Sequence, residues 1–252
     1  MSAGRLLPDT WRRPVLGVLG GMGPAATVSF LDALTRATPA GRDQEHIDAV
    51  VLNHVSTPDR TARLRDPAQP DPTPYLTGDL ELLARLGVDL AVIVCNTSHA
   101  FLDLDAVPVR LLSIVEVGAE AAVARARQVG EEAGGGCVVT LLATDGTLGS
   151  GLYQDALARR GATVRVPAPH DQRRVMGVIY EGVKAGVPVP TADFAALVEE
   201  LRGGAGTVLL GCTELSVLFD HAATEGTALP GYVVDAQDEL VGRVVAELAP
   251  RG

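Results

Sequence analysis

Aromatic residues are scarce, 4% of 252 with a single tryptophan. A chain of this length can fill one large core or two small ones. With 47% hydrophobic residues and so few rings, the packing must come from alanine, valine and leucine. Cysteine is also sparse. Cys95, Cys137 and Cys212 are an odd set, which argues against a disulfide framework and for reduced thiols in a cytoplasmic protein. Positive charge is in deficit, 21 basic against 31 acidic residues for a formal net charge of -10. That balance excludes nucleic acid and anionic membrane surfaces as partners, and it requires a site for an anionic ligand to carry its own cations. No apolar run reaches membrane-spanning length. Arg12 and Arg13 ahead of Val15–Leu19 mimic a secretory leader, but the run is too short and is broken by Gly20, Gly21 and Gly23.

What the chain does have is alternation. Apolar, β-branched runs at Val15–Leu19, Ala49–Leu52, Leu90–Val94, Val138–Leu142, Val208–Leu210 and Tyr232–Val234 read as strands. Helical patterns separate them, among them 24–35, 76–86, 117–129, 152–160, 175–184, 192–201 (with Thr191 as its cap) and 237–248. Continuous apolar strands between helices predict an α/β protein whose parallel sheets are covered on both faces. Residues 56–77, with five prolines, read as a long irregular loop, the kind that in compact domains carries function.

One pattern occurs twice. Leu90–Val94 runs into Cys95-Asn96-Thr97, and Val208–Leu210 runs into Gly211-Cys212-Thr213. Two similar domains are expected, each presenting one cysteine at the carboxyl end of a strand, where parallel sheets place their ligand sites. The expected boundaries are 1–113 plus 226–252 for the first unit and 114–225 for the second. A thiol beside a helix N-terminus is acidified, so two facing cysteines can act as base and acid on opposite sides of one carbon. A lone cysteine is more often a small buried hydrophobe. That is the expectation for Cys137, whereas the matched contexts of the other two favour chemistry.

Gly20-Gly21-Met22-Gly23-Pro24 resembles a dinucleotide turn but lacks the acid that should end the second strand, and Pro24 removes an amide. A tight turn against a small ligand fits better. Arg60, in Pro58-Asp59-Arg60-Thr61, could fork onto a carboxylate, or be a solvated loop residue. Thr144, in Ala143-Thr144-Asp145-Gly146-Thr147, fits an anion-binding turn or an ordinary helix cap. Lys184 at a helix end is accounted for by the helix dipole alone. Cys95 and His99 have metal-ligand spacing, but no second pair completes a set.

These six segments, ending with Gly211-Cys212-Thr213-Glu214, stand in one order, and together they resemble the aspartate racemase branch of the aspartate/glutamate racemase superfamily over residues 15 to 236. The resemblance implies two pseudo-symmetric Rossmann-like domains with the site in the cleft between them, no cofactor and no metal, a homodimer, and a small anionic amino acid as substrate, aspartate before glutamate. It implies Cys95 and Cys212 as the catalytic pair. It further implies that Arg60 and Lys184 bind carboxylate, and that Met22, Asn96, Thr97, Thr144, Thr213 and Glu214 line the site. Glu214 stands where glutamate racemases carry histidine. Maleate isomerisation, hydantoin racemisation, arylmalonate decarboxylation and a ligand-binding role without turnover are the alternatives. A decarboxylase of this type needs only one of the two cysteines.

Overall fold

The computed structural model describes residues 6–133 and 136–249. Two four-stranded parallel sheets organise the chain. The first contains β1 (Val15–Gly20), β2 (Asp48–Asn53), β3 (Leu90–Ile93) and β4 (Leu111–Leu112), in the order β2-β1-β3-β4. The second contains β5 (Val138–Leu142), β6 (Thr163–Arg165), β7 (Thr207–Leu210) and β8 (Val233–Asp235), in the matching order β6-β5-β7-β8. This is the α/β, two-domain parallel architecture expected from the alternation.

The central strands β1, β3 and β7 are buried at every residue, which explains why their sequences are apolar but for Thr207 at the start of β7. Alternate residues face different layers. Val15, Leu19, Ala91 and Ile93 pack against Leu76, Leu80 and Leu83 of α3 (Thr73–Leu86). Leu16, Val18, Leu90 and Val92 face inward. There they share one core with Val139, Leu141 and Leu209 of the second sheet, through α1 (Pro24–Ala37), α4 (Ile114–Ala133) and α10 (Ala236–Leu248). On the far side of the second sheet, Val208 and Leu210 meet α7 (Pro169–Gly177), α8 (Thr191–Arg202) and α9 (Thr213–Thr224). The two units are therefore joined by a continuous apolar layer. Among the described residues, no helix is long and apolar enough to cross a membrane.

Three expectations need correction. The strand within 226–252 does not return to the first sheet. β8 pairs in parallel with β7, Val208 opposite Val233, as β4 pairs with β3; the following helix α10 then packs against α1 as well as α4. Residues 56–77 are not an irregular loop. They contain α2 (Arg60–Arg65), capped by the Asp59 carboxylate accepting from the Ala62 amide, and the first turn of α3, where Pro74 is tolerated because that amide needs no helical partner. Thr191 does not cap α8. Pro190 holds that position, and the Thr191 hydroxyl donates to Glu225 instead.

Candidate active site

In an order such as β2-β1-β3-β4, the chain leaves β1 on one side and returns as β3 on the other, which opens a crevice at the carboxyl ends of the two middle strands. Both sheets have this switch point. The second residue beyond the end of each middle strand is Met22 after β1, Cys95 after β3, Thr144 after β5 and Cys212 after β7. All four line one cavity. The two cysteines therefore occupy equivalent positions in the two units, and both are buried.

The same cavity is lined by Arg60, Asn96, Thr97, Lys184, Thr213 and Glu214, so the fold brings every candidate site residue together. It adds Thr61 and Tyr180, which the sequence reading missed. Thr61 follows Arg60 directly, and Tyr180 lies four residues before Lys184, a spacing that stacks side chains on a helix.

Arg60 is not on a mobile loop. It opens α2, is 7% exposed, and donates through Nη1 to the Pro58 carbonyl at 2.9 Å and through Nη2 to the Met22 carbonyl. Burial opposes its charge, but Cys95, Asp59 and Glu214 more than compensate and raise its pKa. Lys184 is the only lysine in the chain. It follows a π-helical turn, Val178–Val183, of the kind that marks functional sites, and its Nζ lies 2.7 Å from Glu214 Oε1 and 3.2 Å from the Met22 carbonyl. Its charge too survives burial, held mainly by Glu214 with help from Cys212 and Cys95. The two cations thus converge on one backbone oxygen. Gly23 leaves room beside them, since a Cβ there would lie 2.7 Å from Glu214 Oε1 and 3.9 Å from Lys184 Nζ. Gly21, at φ +90°, makes the turn itself possible, since a Cβ there would sit 2.5 Å from the His54 backbone nitrogen.

The thiols are not alike. Cys212 caps α9, yet its pKa is raised rather than lowered, first by burial and then by Glu214, whose Oε2 accepts from Sγ at 3.1 Å. The helix dipole loses to desolvation and a neighbouring carboxylate, so Cys212 rests as a thiol. Cys95 precedes a five-residue 3-10 turn, Thr97–Phe101, instead of an α-helix, and it lies close enough to Arg60 and Lys184 to influence both cations. Four hydroxyls also cluster here, three of them on the cavity wall. Thr97 meets Thr147 at 2.8 Å and Thr144 at 3.2 Å, and Thr61 meets Thr144 at 3.2 Å. Thr144 also caps α5 (Asp145–Ser150), so the ordinary capping role and the cleft position coincide. Cys137 stands apart, bonded weakly to the Val123 carbonyl and packed on the shared core.

A family model described as "Asp/Glu/Hydantoin racemase" matches residues 19–244. The chain belongs to that family. Among solved structures, the aspartate racemase of Picrophilus torridus is 27% identical with a TM-score of 0.73, over 94% of this chain and 95% of that one. An aspartate racemase homologue from Pyrococcus horikoshii, 22% identical, has the same fold, with a TM-score of 0.68 over 93% and 98% of the two chains. A broad-specificity amino-acid racemase of Bacillus subtilis is 26% identical over 84% of this chain and 90% of its own. The protein is an amino-acid racemase.

Proposed function

We propose that this racemase inverts an acidic amino acid, aspartate foremost, by passing the α-proton between Cys95 and Cys212. The observation that carries the reading is the equivalence of the two thiols. They end corresponding strands of two similar units and line one cavity beside two cations. With Cys212 resting as a thiol, Cys95 takes the base role for one enantiomer. The Cα–H bond breaks as an S–H bond forms at Cys95. The Cys212 S–H bond then breaks as a new Cα–H bond forms on the opposite face. The reverse direction exchanges the roles.

Arg60 and Lys184 meet at one point, which suits the side-chain carboxylate. The α-carboxylate, which gains charge as the proton leaves, falls to Asn96 and to the hydroxyls and amides of Thr97, Thr144 and Thr213. Donors set in place before the reaction in a dry site lower the barrier most. Nothing in this scheme calls on a cofactor, and an imine-forming one would have to take Lys184, the sole lysine, out of its ion pair with Glu214.

Deuterium uptake at Cα in D2O, followed by NMR across a panel of amino acids, tests the proposal. Aspartate should exchange and lose optical activity. Cys95→Ser and Cys212→Ser should each abolish racemisation, and Cys137→Ser should not. Full racemisation in either of the first two variants would discard the two-thiol mechanism.

A further inference from the structure

Tyr153 sits on α6 (Leu152–Arg159), fully buried, and takes no part in the scheme above. Its hydroxyl donates to Asn96 Oδ1 at 2.6 Å. The other acceptor within reach, the Ile114 carbonyl, is 3.4 Å away, long for an O–H···O bond. The one phenolic proton is therefore committed to Asn96. The opposite end of that amide, Nδ2, is buried without a partner, and Asn96 lines the cavity with both thiols. A buried donor left unpaired is costly, and here it is available to a ligand.

We propose that Tyr153 is a positioning residue for racemisation, locking the Asn96 side chain so that its NH2 group, and not its carbonyl, meets the substrate carboxylate. A primary amide is nearly symmetric in shape, so without a lock it can turn by 180° and present an acceptor to an anion. Turned over, Nδ2 would meet the phenol oxygen, and the phenolic proton would be left with the distant Ile114 carbonyl. Burial, aided by Asp235 and Cys212, raises the Tyr153 pKa well above its ordinary value, so the phenol keeps its proton.

The ring is packed closely against two glycines. A Cβ on Gly118 would lie 3.1 Å from its hydroxyl, and one on Gly211 would lie 3.0 Å from Cε2. Both glycines leave the slot that the ring fills, and Gly211 directly precedes Cys212. Tyr153 packs with the second sheet and Asn96 follows a strand of the first, so the bond also sets the amide relative to the Cys212 thiol.

The proposal rests on the reading of Asn96 as a carboxylate donor, and a double-mutant cycle separates the two. Tyr153→Phe keeps the ring and removes only the hydroxyl. With aspartate as substrate, it should lower kcat/KM about tenfold, the loss expected for one neutral hydrogen bond, and through kcat as well as KM, because the carboxylate that Asn96 meets gains charge as the proton leaves. In an Asn96→Ala background the same change should cost nothing. Calorimetric binding of succinate, a dicarboxylate with no α-proton to lose, should follow the same pattern. Asn96→Asp leaves Tyr153 untouched but turns an oxygen toward the ligand, and it should bind succinate more weakly than Asn96→Ala does. Equal losses from Tyr153→Phe in both backgrounds, or wild-type succinate binding by Asn96→Asp, would overturn the lock while leaving the two-thiol mechanism standing. Absence of α-proton exchange in the wild type would instead remove the racemisation reading, with the succinate data still reporting on the amide.

Discussion

Glu214 carries two interactions at once, accepting from the Cys212 thiol through Oε2 and pairing with Lys184 through Oε1. Its charge supports both the protonated state of one thiol and the charged state of the cation. Glu214→Gln keeps the shape and removes the charge. In a Cys95→Ser, Cys137→Ser background, where Cys212 is the only thiol, iodoacetamide alkylation reads its thiolate directly. The midpoint of alkylation rate against pH should move to lower pH in the Gln variant, because one of the two causes holding the thiol protonated is gone and Lys184 is left free to favour the anion. An unmoved midpoint would show that burial alone sets the state of Cys212. At this scale the sequence was informative about which residues meet and uninformative about their charge state. The repeated strand–Cys–Thr segments marked both thiols, but the helix-dipole argument predicted the wrong direction for Cys212. Burial and the approach of residue 214 depend on tertiary structure.

The elements were legible where local pattern and final environment agree. Buried parallel strands are mostly apolar, so β1, β3, β5 and β7 stood out despite Thr140 and Thr207. β4 is two residues long and carries no pattern. The second unit's edge strand β8 was visible, but its partner was not, because pairing leaves no trace in a three-residue segment. Proline content hid α2, although Asp59 three residues before Ala62 is a recognisable cap. A cap of the same kind yields a stability prediction. Asp235 accepts from the Asp238 amide at 2.8 Å at the start of α10 and from Ser216 Oγ at 2.7 Å. Burial, with Asp238 and Asp220 nearby, pushes its pKa from 3.8 up to about 7. Between those values the folded chain holds a proton that the unfolded chain has lost, so this contribution to stability is present at low pH and disappears as pH rises through 7. His99 works in the opposite sense, because burial lowers it from 6.5 to about 4, so its part is lost as pH falls through that range. Comparing variants at each pH cancels the histidine. Asp235→Asn keeps the capping oxygen and cannot titrate. By urea unfolding, it should gain on the order of 2 kcal/mol relative to wild type between pH 5 and pH 8. A difference that stays constant over that range would mean that Asp235 is ionised throughout.

On the scale of the whole molecule, the site is closed. The cavity between the thiols has a volume of about 10 Å³, room for the centre of about one water and far less than an amino acid requires. Beside it lies a cavity of about 490 Å³ that shares Met22, Arg60, Lys184 and Glu214 as its wall. Substrate entering there must part the contacts by which Arg60 and Lys184 hold the Met22 carbonyl. A carboxylate can take over both cations from that neutral carbonyl, because charged acceptors form the stronger hydrogen bonds. An uncharged side chain can take neither. On the proposed reading, entry from this cavity and specificity rest on the same two residues. Truncating one partner of a desolvated charge pair costs about 2–5 kcal/mol, so Arg60→Ala and Lys184→Ala should each lower kcat/KM for aspartate by a factor on the order of 30 or more. For alanine, which offers no side-chain carboxylate, the same substitutions should cost less, only what the thiols lose with a neighbouring cation. The quantity to measure is the aspartate-to-alanine ratio of kcat/KM in wild type and in each variant, at a temperature where thermal unfolding shows each variant to be folded. If wild type turns over both amino acids and neither substitution alters that ratio, the two cations do not read a side-chain carboxylate. Acidic amino acids then lose their place as the substrate class, whatever the cysteines do.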